Sequence, residues 1–428
     1  MSRKLFFKPI LLFLPLLVIY TIIVLVFASD EIIGDEARYL QYAKNLVQGF
    51  YTDSANPDLS NGPGYPIILI PFVAFNIPFI LAKILNGVFV FIAVNYLYGA
   101  LKIYISDKSA LLLSYAMGFY PPLLKWMILL YTESLSFMLI CGIIYHLCII
   151  LNKGHKPNKH YLMASFYLGF LVVTKAVFFH VIIIATLLLL VNYLIQINRK
   201  TKAAIIVSFG AMILIAPYIL YTYNITGKAF YLGTRGGEIL YHRSTPFEKE
   251  QGDWFSPDLI LGTPHAIENS TYSKEDLSKL ADNHRAFYLK LQAYDNIKKD
   301  SIFKAKAIMN MKEYPFKYIR NTISNTGRLL FNYPLSYRYH NLTSYGYIIP
   351  NMFIVVFFIV LLYPAYLIRK VIPYELKAIL CFVLIYCFGM ILLGGKARYF
   401  ILAVPGILLF LSFVYSRTIK VVPLNRSD

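Results

Sequence analysis

PILLFLPLLVIYTIIVLVFA, Pro9 to Ala28, is an uninterrupted apolar run long enough to cross the hydrocarbon of a bilayer. Arg3, Lys4 and Lys8 precede it, which sets its N-terminus in the cytoplasm. The run is longer than the apolar stretch of a cleaved leader, so an uncleaved first span is expected. The loop that follows, Ser29 to Tyr65, is then outside. It carries a charged cluster, Gly34-Asp35-Glu36-Ala37-Arg38-Tyr39. Gly34 is a turn residue, Asp35 is suited to cap the helix that follows, and Arg38 and Tyr39 share its face at i+3 and i+4. On local grounds an ordinary capped loop helix and a functional cluster are equally good accounts.

The remainder of the chain is of the same kind. It has 428 residues, 58% of them hydrophobic, a mean hydropathy of +0.58, and 32 Phe and 36 Tyr, which is a polytopic membrane protein by composition. The net charge of +19 lies mainly in short pieces between apolar spans. That pattern is topogenic and calls for no nucleic acid partner. Cys141, Cys148, Cys381 and Cys387 all lie inside apolar segments, so neither a disulfide framework nor a cysteine metal site is expected. No cofactor is expected, and no ligand spacing argues for a metal.

The stretch Tyr65 to Phe79 is interrupted by Pro66, Pro71 and Pro78. If it spans, the basic segment containing Lys153, Lys156 and Lys159 faces outward. If it lies at the interface, that segment joins Lys102/Lys108, Arg199/Lys200/Lys202, Arg369/Lys370 and Arg417/Lys420 on the inside. The second arrangement obeys the positive-inside rule throughout. An all-α fold of about ten spans follows. Their limits are 9–28, 80–104, 109–127, 131–151, 161–174, 177–197, 203–223, 346–368, 374–393 and 398–416, with both termini cytoplasmic.

Three units are expected: a membrane domain 1–223 with the outer loop 29–79, an extracytoplasmic domain 224–345, and C-terminal membrane helices 346–428. The middle unit reads as helical from Ser273 to about Lys312. Pro315 to Tyr333, which mixes Lys317, Arg320 and Arg328 with Phe316, Leu329 and Phe331, suits a helix on the membrane surface.

With the sides assigned, Asp35, Arg38, Glu133, Lys175 and Arg398 all fall on the outer face, with His180 one turn further in. Ionisable groups at membrane depth are costly and mark function by default. Each also has a bland account: a helix-start acid for Glu133, snorkelling for Lys175, headgroup anchoring for Arg398 and Lys125, packing for His180.

The cluster Asp35-Glu36-Ala37-Arg38-Tyr39 resembles the Asp-Glu-x-Arg-Tyr signature of the glycosyltransferase C superfamily, notably the bacterial aminoarabinose transferases and relatives of the protein O-mannosyltransferases. Asn61-Gly62-Pro63-Gly64-Tyr65-Pro66, Tyr131-Thr132-Glu133-Ser134, Pro217 to Gly227 with Thr234-Arg235-Gly236-Gly237, and Ala397-Arg398-Tyr399-Phe400 resemble further blocks in the same order. Two departures stand out: Gly62-Pro63-Gly64 replaces Lys-Pro-Pro of the aminoarabinose enzymes, and Lys175 stands where many relatives have Arg.

The resemblance implies transfer of a sugar from a polyprenyl-phosphate donor to a lipid, glycan or protein hydroxyl at the outer face of a bacterial cell membrane. It implies Asp35 as general base with inversion, and Arg38, Lys175 and Arg398 meeting the carrier phosphate. Glu36, Tyr39, Tyr65 and Glu133 would then contact sugar or acceptor or orient a cation, and membrane lipids would surround the whole. The rival accounts are a polymerase or ligase acting on lipid-linked glycan, and a polytopic transporter.

Overall fold

The computed structural model describes residues 4–153, 158–268, 270–337 and 342–419, so Arg3, Lys156 and Lys420 lie outside the described residues. Among the described residues the chain is helical with no strand. Lys4–Phe27 (α1) is followed by Asp35–Val47 (α2) and Gly64–Ala74 (α3) in the first loop. Phe79–Leu101 (α4), Asp107–Gly118 (α5), Pro121–Met127 (α6), Glu133–Lys153 (α7), Asn158–Thr174 (α8), Val177–Ile195 (α9) and Arg199–Thr226 (α10) come next. The polar region forms Gly236–Arg243 (α11), Pro257–Leu261 (α12), Pro264–Glu268 (α13), Lys274–Leu291 (α14), Asn296–Glu313 (α15) and Pro315–Phe331 (α16). Tyr345–Leu367 (α17), Tyr374–Leu393 (α18), Ala397–Phe400 (α19) and Val404–Thr418 (α20) close the chain.

Among the described residues, seven helices are long and apolar enough to cross a membrane: α1, α4, α7, α9, α10, α17 and α18. The expected count of ten differs for physical reasons. The stretch 109–127 is two short helices, because Pro121 has no N–H with which to continue the ladder and the amides of Phe119 and Tyr120 close α5 on Tyr115 and Met117. A 12-residue helix such as α5 rises only ~18 Å, short of a bilayer core. The stretch 398–416 is likewise broken between α19 and α20, and α8 has 17 residues. The single helical run expected from Ser273 is α14 plus α15. Asp295 interrupts it by accepting from the Lys298 amide at 2.8 Å and capping a new helix.

The bundle is built by α4 packed on α1 and α7, α7 on α8, α8 on α10, and α9 and α20 on α18. Phe13, Leu16 and Tyr20 of α1 and Phe137 of α7 are fully buried in its core, while the outward residues of α9 and α17, such as Leu194 and Val360, are exposed. α3, with Pro71 inside, rises only ~16 Å over its 11 residues, too short to cross by itself. A second core, with Tyr241, Phe255, Ile260, Leu280, Tyr288 and Phe303, holds α11, α12, α14 and α15 together. α16 turns Asn321, Asn325 and Arg328 inward and leaves Phe316, Ile319 and Ile323 exposed, the face a surface helix would rest on lipid.

The Gly62-Pro63-Gly64 element owes its glycines to close approach. A Cβ on Gly62 would overlap the Val173 carbonyl oxygen, and one on Gly64 would overlap the Thr174 hydroxyl, at the C-terminal end of α8. Lys175 is the next residue, so this contact sets where its side chain begins. Gly62→Ala is expected to cost about 1–3 kcal/mol through overpacking, read as a lower apparent Tm of the purified protein in detergent.

Candidate functional site

Gly34 has φ +61°, and a Cβ there would sit 2.6 Å from the Tyr131 hydroxyl, which itself accepts from the Asp35 amide at 3.0 Å. This turn makes Gly34 the N-cap, and Asp35 is the first residue of α2 with its carboxylate free of capping duty. One face of α2 is buried at Glu36, Tyr39, Leu40 and Ala43, the i, i+3, i+4, i+7 spacing of an amphipathic helix. Asp35 and Arg38 lie off that face and pair with each other.

The expected outer-face residues converge. Asp35 Oδ2 accepts from Arg398 Nη2 at 3.0 Å, Arg398 Nε stands 3.5 Å from Glu133 Oε1, and Lys175 Nζ donates to the same oxygen at 3.1 Å. The result is a chain of alternating charge, Arg38–Asp35–Arg398–Glu133–Lys175. Arg398 also lies over the rings of Trp126, Tyr131 and Tyr399 at 5.1, 5.1 and 5.2 Å. Glu133 is 1% exposed, whereas Asp35 is 23% exposed. The inner acid is therefore committed to holding cations, and the outer one is accessible.

These groups stand where α1 and α18 end and α7 and α9 begin, at one end of the bundle. A cavity of about 600 Å³ opens there between the bundle and the polar domain. Asp35, Arg38 and Arg398 line it, while Glu133 and Lys175 lie behind its wall. Burial pushes the Asp35 carboxyl pKa up, but Arg398, Arg38 and Lys396 outweigh it and hold the value at about 2, below the ordinary 3.8.

Glu36, Tyr39 and Tyr65 are elsewhere. Glu36 is fully buried and accepts from the amides of Ile33 and Leu130, both at 2.7 Å, with Lys83 at 3.7 Å. Tyr39 accepts from Asn61 Nδ2 at 3.0 Å, and Tyr65 donates to Asn86 Oδ1 at 3.0 Å. All three lie in the scaffold beneath the cavity and are not among its lining. His180 is exposed on α9 against Phe179, also outside the cavity.

Several lining residues escaped the sequence reading, among them Trp254, Asp253 and Tyr347. Lys125, Arg235 and Lys396 line it too. The available signal was rarity: the chain has two tryptophans, Trp126 and Trp254, and both stand here. Among the described residues no group of three or more His, Cys, Asp or Glu is placed to hold a metal ion.

The fold is shared with a known enzyme. The archaeal oligosaccharyltransferase AglB from Archaeoglobus fulgidus, solved with an inhibitory peptide and a dolichol-phosphate, superposes with a TM-score of 0.50 at 14% identity. The match covers 94% of this chain and 50% of that one, so the chain spans about half the length of AglB. ArnT from Cupriavidus metallidurans bound to undecaprenyl phosphate matches at TM-score 0.42 and 12% identity, over 92% of this chain and 76% of that one. No protein-family model matches the chain, and no curated protein does.

Two outcomes test the charge chain. A carboxyl whose pKa is depressed by folding stabilises the fold above its unfolded value and loses that contribution as pH falls through the folded one. The difference in apparent Tm between wild type and Asp35→Asn is thus expected to stay constant from about pH 8 to about pH 5 and to narrow below about pH 4. Glu133→Gln strands Lys175 and Arg398 beside a neutral amide and should cost about 3–5 kcal/mol. Thermal unfolding would show it, and an unchanged Tm would contradict the pairing.

Proposed function

We propose that this chain is a membrane glycosyltransferase that moves a sugar from a polyprenyl-phosphate carrier to an acceptor hydroxyl, with inversion. The observation that carries the reading is the accessible Asp35 carboxylate between two arginines in a cavity at the end of the bundle. The opposite end carries Lys102, Lys108, Arg199, Lys200, Lys202, Arg369, Lys370 and Arg417, which supports an extracytoplasmic cavity in a cell membrane with both termini inside. The fold shared with an oligosaccharyltransferase solved with dolichol-phosphate supports a polyprenyl phosphate as carrier. The Asp35 to Tyr39 motif adds the resemblance to the glycosyltransferase C superfamily.

In this reading the acceptor oxygen attacks the anomeric carbon from the face opposite the carrier. Asp35 takes the hydroxyl proton, and the C–O bond to phosphate breaks with its electron pair on the leaving oxygen. A phosphate leaves readily, so one carboxylate serves where most glycoside hydrolases need two. Arg38 and Arg398 meet the phosphate charge by charge-assisted hydrogen bonds. Lys175, behind the wall, acts through Glu133 to hold Arg398 in position. Glu36, Tyr39 and Tyr65 shape the floor rather than touch sugar.

A carboxylate held at about 2 is a weak base, and the geometry offers a remedy. When the carrier phosphate draws Arg38 and Arg398, the cations that depress Asp35 are shared while its burial remains, so its basicity rises. Donor binding thereby prepares the base.

A second polar cavity of about 360 Å³ adjoins the first through Ser60 and Arg235, and it favours an extended acceptor, as for a glycan polymerase or ligase. The experiment is transfer of label from a radiolabelled polyprenyl-phosphate sugar. Asp35→Asn should lower turnover by about 10²–10⁴-fold with donor affinity little changed, and Arg398→Gln should weaken donor binding. Label that crosses the bilayer without covalent transfer, or near wild-type turnover in Asp35→Asn, would sink the assignment.

A further inference from the structure

The second cavity differs from the first in charge and in setting. Asp58, Glu238 and Asp300 line it against Arg235 and Lys299, whereas six cationic side chains and two carboxylates line the first. Its lining comes from the first loop and the polar domain, with no residue of a helix long and apolar enough to cross a membrane. Its volume of about 360 Å³ is that of a small-molecule site.

The two cavities meet at a neck, because Ser60 and Arg235 line both. The Leu59 amide donates to Thr234 Oγ1 at 3.0 Å, which ties the two segments together one residue before Ser60 and one before Arg235. Ser60 is held in turn by Asp58 Oδ1, which accepts from its amide at 2.9 Å and from its hydroxyl. Arg235 is held at Nε by Glu238 Oε2 at 3.1 Å, with its guanidinium 5.4 Å from the Trp254 ring centre. Burial works against its charge, but Glu238, Asp35 and Asp58 outweigh it and raise the pKa. The neck therefore lies in the field of an acid from each cavity.

The acids of the second cavity are set in place by the protein. Glu238 Oε1 accepts from the Tyr288 hydroxyl at 3.1 Å, and Asp300 accepts from the Gly237 amide at 2.6 Å and the Tyr231 hydroxyl at 2.7 Å. Each of these carboxylate oxygens takes one such bond and keeps a second acceptor site. Leu291 and Phe303 give the same cavity an apolar wall. A sugar hydroxyl donates as well as accepts and suits fixed acids beside a guanidinium, whereas an ionised phosphate or carboxylate only accepts and would meet three like charges. A lining without membrane-crossing helices suits a water-borne chain rather than a lipid. A sheet edge, which reads an extended peptide through its backbone, is absent among the described residues.

We propose that the second cavity binds uncharged sugar units of a glycan acceptor, with the unit next to the attacking hydroxyl held at the neck by Ser60 and Arg235. This rests on the reading of the first cavity as a glycosyltransferase site and names the class of its acceptor. Donor and acceptor are then sorted by charge: the phosphate-bearing carrier enters the cation-rich cavity, and the neutral chain enters the acidic one.

The test uses the full chain in lipid nanodiscs, a radiolabelled polyprenyl-phosphate sugar as donor, and as acceptor the envelope fraction of the native cells with this gene deleted. Linkage analysis should find the label joined to another sugar whose neighbouring units carry neither phosphate nor carboxylate. Gln292→Trp, on the exposed rim of the second cavity, should raise the apparent KM for acceptor about tenfold while apparent Tm and donor affinity stay at wild-type values. Arg235→Lys keeps the charge but removes the planar fork, and should raise the acceptor KM more than it lowers kcat.

Label joined to a lipid hydroxyl, to a peptide side chain or to an acidic sugar unit overturns the inference and leaves the transfer reaction standing. An acceptor KM unchanged in both variants overturns it as well. Absence of covalent transfer to any acceptor removes the glycosyltransferase reading, and this inference with it.

Discussion

The Arg398 guanidinium bonds to Asp35 across 363 residues of chain and faces Glu133 at the start of α7. At 11% exposure its charge is costly to leave unpaired, so the elements that bring acids to it cannot settle independently. The first loop, the start of α7 and the corner between α18 and α19 are therefore fixed together. Glu133, nearly inaccessible, also anchors Lys175 from the end of α8, and the Gly62 to Gly64 element braces that end from the other side. A mobile loop carries the accessible acid in many enzymes; here the acid belongs to a helix pinned by Tyr131 and Glu36, and its position is inherited from the bundle.

The same chain of charges carries an imbalance. Three cations and two acids alternate from Arg38 to Lys175, leaving one positive charge in excess before Lys125, Lys396 and Arg235 are considered. Packing alone gives no reason for cations to gather around one cavity, since those with little solvent access, such as Arg398 at 11%, pay a desolvation cost. In the proposed reading an anionic ligand does, with the rings supplying a partly favourable surface that does not compete for it. The lining of the cavity is thus net positive, and the Asp35 carboxyl, held at about 2, stays ionised at ordinary pH.

Much of this was legible from charge and side alone. Asp35, Arg38, Glu133, Lys175 and Arg398 stood out because ionised groups at span ends are expensive. Their convergence in one chain of pairs was not readable, since it depends on how α7, α8 and α18 pack. Glu36 and Tyr39 adjoin Asp35 in sequence but lie outside the cavity lining, and the helical spacing that buries Glu36, Tyr39 and Ala43 is already present in the motif. The broken span at 109–127 follows from Pro121-Pro122, a local signal that average hydropathy conceals. Trp254 and Asp253 come from a stretch without periodicity, where only tertiary packing decides which side chain meets the cavity.

The polar domain is more than a cover. Asn325 of α16 donates to the Met390 carbonyl at 3.1 Å and accepts from the Gly395 amide at 2.7 Å, and Arg243 reaches the same Asn325 oxygen at 2.5 Å. The short segment Gly394 to Lys396 is thereby bonded to the domain on one side while Arg398, two residues on, is bonded to the first loop. Any shift of α16 must pass into that segment, because a buried asparagine with all these partners cannot release one without leaving a polar group unsatisfied. The position of α16 and the position of the cations at the cavity are, on this geometry, coupled.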